Sequence, residues 1–404
     1  MKGKDLKPHI GIFGRRNNGK SSFINTLVNQ EIAIVSSIPG TTTDPVKKSI
    51  EIFGIGPVIM IDTAGIDDVG ELGAKRIEKT REVIKTVDLA ILLIVDNIFD
   101  EFEINLINEF NYYETPFVII HNKSDIEKIN INTLKKIQNI SKNKVLNFNS
   151  LEPENLDEVI ELLKNTIPTT SFQKPSLLKG LITKNDIVLL ITPVDSEAPD
   201  GRMILPQQMA IRDVLDNDCV NIVLKETELE TFLKNTGIKP KLVITDSQAF
   251  GFVSKIIPED IMLTGFSIVF ARLKGNFQDY INGTSHLSKL KDGDKVLILE
   301  SCTHQVSCDD IGRAKIPKWL DKFTGKKLEY KVVGGLDSLK DTIKDFAIVI
   351  QCGGCVTTRK QIVNRLKPAI DARIPVTNYG MAIAYINGIF DRAIAPFINK
   401  TIEL

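Results

Sequence analysis

His9-Ile10-Gly11-Ile12-Phe13-Gly14-Arg15-Arg16-Asn17-Asn18-Gly19-Lys20-Ser21 decides how the first part of this chain folds. Residues 9–13 form a short apolar run that ends in glycine, as a buried strand does. The next eight residues match GxxxxGK[ST], and residues 21–29 then read as a helix. Strand, glycine-bounded loop and helix make a phosphate cradle. The glycines Gly14 and Gly19 let the backbone curl so that its N–H groups face the phosphates, and the helix N-terminus adds positive potential. Lys20 reaches the β- and γ-phosphates, and Ser21 offers a hydroxyl to Mg²⁺. Asn17, Asn18 and Ser22 line the same loop. The motif alone also occurs as an ordinary glycine-rich turn.

Two further motifs decide against that plain reading. The apolar runs 58–61, 89–95 and 117–120 alternate with helical patterns at 73–86, 101–110 and 156–165. That alternation predicts a doubly wound, mostly parallel α/β sheet. Asp62-Thr63-Ala64-Gly65 follows one of the strands, where Asp62 can join the magnesium shell. Asp62 and Gly65 are counted with Lys20 and Ser21 as the catalytic set. Asn122-Lys123-Ser124-Asp125 follows another. Asp125 can accept two hydrogen bonds from a guanine edge, and Asn122 can help hold the base. Adenine presents the wrong donors, so the motif selects GTP or GDP. The acidic residues Asp67, Asp68 and Glu71 read as solvated surface.

Residues 169–176 form a polar stretch that reads as a linker. A smaller strand–helix series follows, and then a third. The expected division is residues 1–168 for the nucleotide domain, 169–270 for a middle α/β domain and 271–404 for a last α/β domain. The last one carries Cys302-Thr303-His304 and Cys352-Gly353-Gly354-Cys355 just beyond two predicted strands, where open α/β sheets place ligands. Three thiolates can share one centre if those strands are neighbours. On spacing alone a structural zinc and an iron–sulfur cluster are equally acceptable, and a redox dithiol is a weaker third reading. Cys308 is a ligand or a bystander, and Cys219, in an apolar context, reads as core.

The 404 residues carry 51 Lys+Arg and 51 Asp+Glu. Residues 1–168 hold 20 basic against 24 acidic side chains, a net charge of −4. That balance speaks against a nucleic-acid partner. The longest uncharged stretch is interrupted by Pro375, Asn378, Gly380, Asn387 and Gly388, so no membrane span is expected. With no targeting segment evident, the expected location is cytoplasmic.

The first 168 residues resemble the tRNA-modification and ribosome-assembly GTPases. Pro39-Gly40-Thr41-Thr42-Thr43-Asp44 is similar to their first switch, and the resemblance makes Thr42 the magnesium-sensing hydroxyl. It also places Asn17 where potassium-activated members bind K⁺. Ile66 stands where Ras-type enzymes carry a water-orienting glutamine, which implies slow hydrolysis. The whole chain resembles the maturation GTPases of iron–iron hydrogenase. The specific stretches are Glu300-Ser301-Cys302-Thr303-His304 with Asp309-Asp310-Ile311-Gly312-Arg313, and Gln351-Cys352-Gly353-Gly354-Cys355.

That resemblance implies a 4Fe-4S cluster on Cys302, Cys352 and Cys355. Its fourth ligand lies among His304, Asp309, Cys308 and solvent. The family's second histidine is replaced here by Gln351. The partners implied are radical-SAM maturases and apo iron–iron hydrogenase, with a homodimer formed through the middle domain. The competing reading is a GTP-dependent RNA or ribosome assembly factor with a structural zinc.

Overall fold

The computed structural model describes residues 7–28, 36–38, 45–65, 67, 71–168, 171, 176–193, 203–301, 311–335, 342–354 and 357–398. They fall into two compact units, Met1–Lys174 and Pro175–Leu404.

In the first unit the elements run β1 (His9–Gly14), α1 (Lys20–Val28), β2 (Ser36–Ile38), β3 (Val46–Ile52), β4 (Gly56–Asp62) and α2 (Glu71–Ile84). They continue with β5 (Leu89–Ile94), α3 (Glu101–Tyr112), β6 (Phe117–His121), α4 (Ile131–Gln138), β7 (Val145–Asn147) and α5 (Leu156–Thr166). Among the described residues they form a seven-stranded sheet of order β2-β3-β4-β1-β5-β6-β7. The sheet is parallel from β4 to β7. The expected doubly wound fold is present. Leu89, Ile91 and Leu93 of β5 face one core layer with Ile10, Ile12 and Phe23. Ala90, Leu92 and Ile94 face the other with Phe13, Ile84 and Phe110. A strand buried on both faces needs an unbroken apolar run, and Leu-Ala-Ile-Leu-Leu-Ile supplies one.

β3 pairs antiparallel with both β2 and β4. This edge was not legible beforehand. Val46-Lys47-Lys48-Ser49-Ile50-Glu51-Ile52 buries only Ile50 and Ile52 fully, so its alternation is weak.

The second unit continues with β8 (Ile187–Ile191), α6 (Leu205–Asp216), β9 (Val220–Leu224), α7 (Leu229–Thr236), β10 (Leu242–Thr245), α8 (Phe250–Ile256), β11 (Met262–Gly265) and α9 (Phe266–Lys274). Next come α10 (Phe277–Thr284), β12 (Lys295–Leu299), α11 (Ile316–Thr324), β13 (Glu329–Val333), β14 (Ile348–Gln351), α12 (Arg359–Asp371), β15 (Val376–Asn378), α13 (Tyr379–Ile386) and α14 (Phe390–Ile398). Two parallel sheets result, of order β11-β10-β8-β9 and β13-β12-β14-β15. One core joins them: Leu189, Val243 and Phe250 from the first sheet's side pack in the same cluster as Leu297, Val349 and Ile394. The last helix returns to the earlier sheet, where Thr264 Oγ1 donates to Ala393 O at 2.9 Å. No described helix is long and apolar enough to cross a membrane.

Candidate functional site

The phosphate loop leaves β1 at Gly14 and enters α1 at Lys20. Asn17 sits at its apex with φ +64°, a left-handed conformation that asparagine tolerates better than most residues. Asn18 is buried and anchors the loop by donating to Leu93 O at 2.7 Å. Asn122, from the guanine motif, donates to Asn18 O at 2.9 Å and accepts from Ser150 Oγ at 2.8 Å. A Cβ at Gly19 would lie 2.5 Å from Asn122 Nδ2, so the approach of the two motifs requires glycine there. Asp125 is exposed beyond them, Lys123 is half-buried, and Ser22 is exposed at the start of α1.

Lys20 is 92% shielded, and its ammonium donates to Gly14 O at 3.0 Å and Arg15 O at 2.8 Å. Ser21 Oγ donates to Asp62 Oδ2 at 2.6 Å. The β1–β4 register sets Ile12 opposite Asp62, which brings these two candidate magnesium residues together. Thr63 Oγ1 donates to Ile12 O at 2.5 Å and fixes the strand exit. Gly65 lies against the loop, since a Cβ there would come 2.7 Å from Arg16 N. Thr42, Ile66 and Asp68 lie outside the described residues, and so does the side chain of Glu71.

Two contacts around this loop had no signal in the sequence. Arg16 N–H donates to Asp67 Oδ1 at 2.7 Å, so the half-buried Asp67 also holds a phosphate-loop amide. Arg15 reaches α3. Its Nε and Nη2 donate to Glu103 Oε1 and Oε2 at 2.8 and 3.1 Å, and Nη2 also meets Asp100. Its guanidinium lies 4.9 Å from the centroid of Phe102. Glu103 is fully buried and also accepts from Asp100 N at 3.0 Å, within the capping box of α3. The bond from Glu103 raises the Arg15 pKa above its usual range, against the opposing effect of burial. Burial pushes the pKa of His121, the last residue of β6, down against the pull of Glu127 and Asp96.

The cysteine site stands at the carboxyl ends of β12 and β14. These strands are neighbours, with Leu299 opposite Gln351. Cys352 N donates to Leu299 O at 2.9 Å. Ser301 N, next in chain to Cys302, donates to Cys352 Sγ at 3.0 Å, and Ser301 Oγ lies 3.1 Å from the same sulfur. Gln351 is fully buried. Its Nε2 donates to Ser301 Oγ at 3.0 Å and Cys352 O at 3.1 Å, and lies 3.5 Å from Cys352 Sγ. Its Oε1 finds no partner among the described residues.

Arg313 donates twice to Glu300 Oε2, at 3.0 and 2.8 Å. Arg365 donates to Glu300 O at 2.7 Å and Val333 O at 2.9 Å, closing the ends of β12 and β13. Cys302, His304, Cys308, Asp309 and Cys355 lie outside the described residues. Cys219 is buried, 6% exposed, away from these strand ends among Val188, Leu190 and Val214.

A GxxxxGKS loop, an Asp at the end of β4 and an Asn-Lys-x-Asp turn after β6 define a P-loop GTPase domain that binds GTP or GDP with Mg²⁺. Residues 9–123 match the family model of the 50S ribosome-binding GTPase. Residues 177–275 match the hydrogen maturase F dimerization domain and residues 278–396 the hydrogen maturase F tetramerization domain. The two together take in more than half of the chain, which belongs to the hydrogen maturase F family, the hydrogenase maturation GTPases.

The chain is also similar to the tRNA modification GTPase of Clostridioides difficile, 27% identical over 213 residues, covering 52% of this chain and 45% of that protein. The tRNA modification GTPase of Bacillus licheniformis is 31% identical over 181 residues, covering 43% of this chain and 38% of that protein. The chain spans less than half the length of these curated relatives. Among solved structures, the G domain of the T. maritima FeoB iron transporter is similar at 20% identity and a TM-score of 0.31, over 40% of this chain and 99% of that one.

Proposed function

We propose that this chain is a slow GTP-hydrolysing scaffold in the maturation of iron–iron hydrogenase. It carries a 4Fe-4S cluster on Cys302, Cys352 and Cys355. It receives a di-iron precursor from radical-SAM maturases and delivers it to the apo-hydrogenase. The supporting observation is the Ser301 N–H aimed at Cys352 Sγ at 3.0 Å, where β12 and β14 end side by side. A backbone N–H directed at sulfur is one of the contacts that tune a bound cluster. Among the described residues, a Cβ at Gly353 would meet nothing within 4 Å. The donor chemistry around Cys352 therefore fits a cluster ligand. Gln351 directs its amide donors at Ser301 Oγ and Cys352 O, so this position braces the site as a hydrogen-bond donor.

When bound, the cluster supplies an iron with one replaceable position, at which an incoming group can bridge. The fourth ligand falls among His304, Asp309, Cys308 and solvent. GTP state biases partner contacts through the switches. The dimerization and tetramerization models support an oligomer, for which we propose a homodimer. The edge strand β9, with Val220 and Val223 exposed by 49% and 41%, offers the kind of unpaired border where a second copy adds. The reading as an RNA or ribosome assembly factor with zinc is not favoured, because the family models that match residues 177–275 and 278–396 are those of hydrogen maturase F.

Anaerobic reconstitution followed by metal and sulfide analysis tests this reading. About four iron and four sulfide per chain are expected, with a brown colour that dithionite bleaches. Cys352→Ala should lose that cluster and keep GTP turnover. One zinc without sulfide would overturn the proposal. Separately, turnover should rise when K⁺ replaces Na⁺ if Asn17 holds potassium; equal rates would remove that role.

A further inference from the structure

Lys274 is the last residue of α9, within the stretch that matches the dimerization domain. A lysine at a helix end ordinarily faces solvent or its own helix's carbonyls. This one is only 5% exposed, and it turns into the cysteine loop 80 residues away. Its ammonium donates to Gly354 O at 2.7 Å and to Thr357 O at 2.7 Å. Gly354 O also accepts from Thr357 N at 3.2 Å and Thr357 Oγ1 at 3.1 Å. The loop conformation is demanding. Gly354 has φ +65°, and a Cβ there would lie 2.2 Å from Ile362 Cδ1. The clasp is reciprocal, because Arg359, the first residue of α12, donates to Leu273 O and Gly275 O at 3.1 Å each, at the end of α9.

A buried ammonium is costly unless its protons find acceptors. Here two of the acceptors are the carbonyls of Gly354, one residue before Cys355 in the chain, and of Thr357, two residues after it. Carbonyl oxygens turned toward an anionic centre would destabilise it, and sites for anions present N–H groups instead. Lys274 draws these two oxygens onto itself and brings its ammonium to the cysteine loop.

We propose that Lys274 is a positioning residue for the cysteine loop and that its charge raises the reduction potential of the cluster the loop holds. This rests on the cluster reading above. Reduction adds negative charge to the centre, and a nearby cation in a low-dielectric interior favours that step. Lys274→Gln keeps a donor and loses the charge, Lys274→Met loses both, and Lys274→Arg keeps the charge.

The experiment is anaerobic reconstitution of the full chain with iron and sulfide, metal analysis, and a redox titration followed by the signal of the reduced cluster. In Lys274→Gln and Lys274→Met the one-electron reduction equilibrium should fall on the order of tenfold, about 59 mV toward negative potential. Lys274→Arg should hold the wild-type potential. Wild type without iron and sulfide overturns the cluster reading. Wild type with the cluster, and Lys274→Gln at the same potential, overturns the role of Lys274 alone. If circular dichroism shows that Lys274→Met does not fold, the comparison of Gln with Arg decides.

Discussion

Arg15→Ala will lower the stability of the first unit by about 3–5 kcal/mol, the cost of leaving a buried charge without its partner. Glu103 has no exposed surface and meets two guanidinium nitrogens of Arg15, Nε and Nη2. Without that cation its carboxylate keeps only the Asp100 N–H among these contacts. The double change Arg15→Ala with Glu103→Gln should recover part of the loss, because it removes the stranded charge as well. Urea titration followed by far-ultraviolet circular dichroism reads both. A loss below about 1 kcal/mol would mean that the pair behaves as a surface salt bridge and does not clamp the loop to α3.

Lys20→Ala will cut GTP turnover by on the order of 10²–10³-fold, the scale seen when one preorganised group that meets developing charge is removed. The ammonium already lies among the loop carbonyls of Gly14 and Arg15. From there it can stabilise β- and γ-phosphate charge without first being ordered. Phosphate release measures the loss, and reconstituted iron and sulfide should stay at wild-type levels. Turnover within about tenfold of wild type would show that this loop is not where hydrolysis is catalysed.

Much of the nucleotide domain was legible because its signals are local. Gly14 to Ser21 is contiguous, Asp62 and Asn122 each follow a run of buried apolar residues, and each motif falls at a strand end. The capping box of α3 is equally local, with Asp100 and Glu103 three residues apart. The same two residues also hold Arg15, which lies 85 and 88 residues away, and no pattern in the chain announces that contact. Asp67 resembled an ordinary surface acid until the fold set it on the Arg16 amide. The antiparallel β3 escaped notice because half its residues face outward.

In the second unit the sequence by itself determined the residue types: a Cys-x-x-Cys loop, an upstream Cys-x-His and apolar strands ahead of each. Chain order could not show that β12 and β14 are neighbours, that Ser301 N–H meets Cys352 Sγ, or that one core joins sheets expected in separate domains. Nor could it bring Lys274 under Gly354. The physical reason is common to all of these. Strand and helix propensities, caps and glycine-bounded turns act over a few residues and can be read in place. Strand order, shared cores and the acceptors of buried charges depend on burial shared among segments far apart in the chain, and only the folded packing decides them.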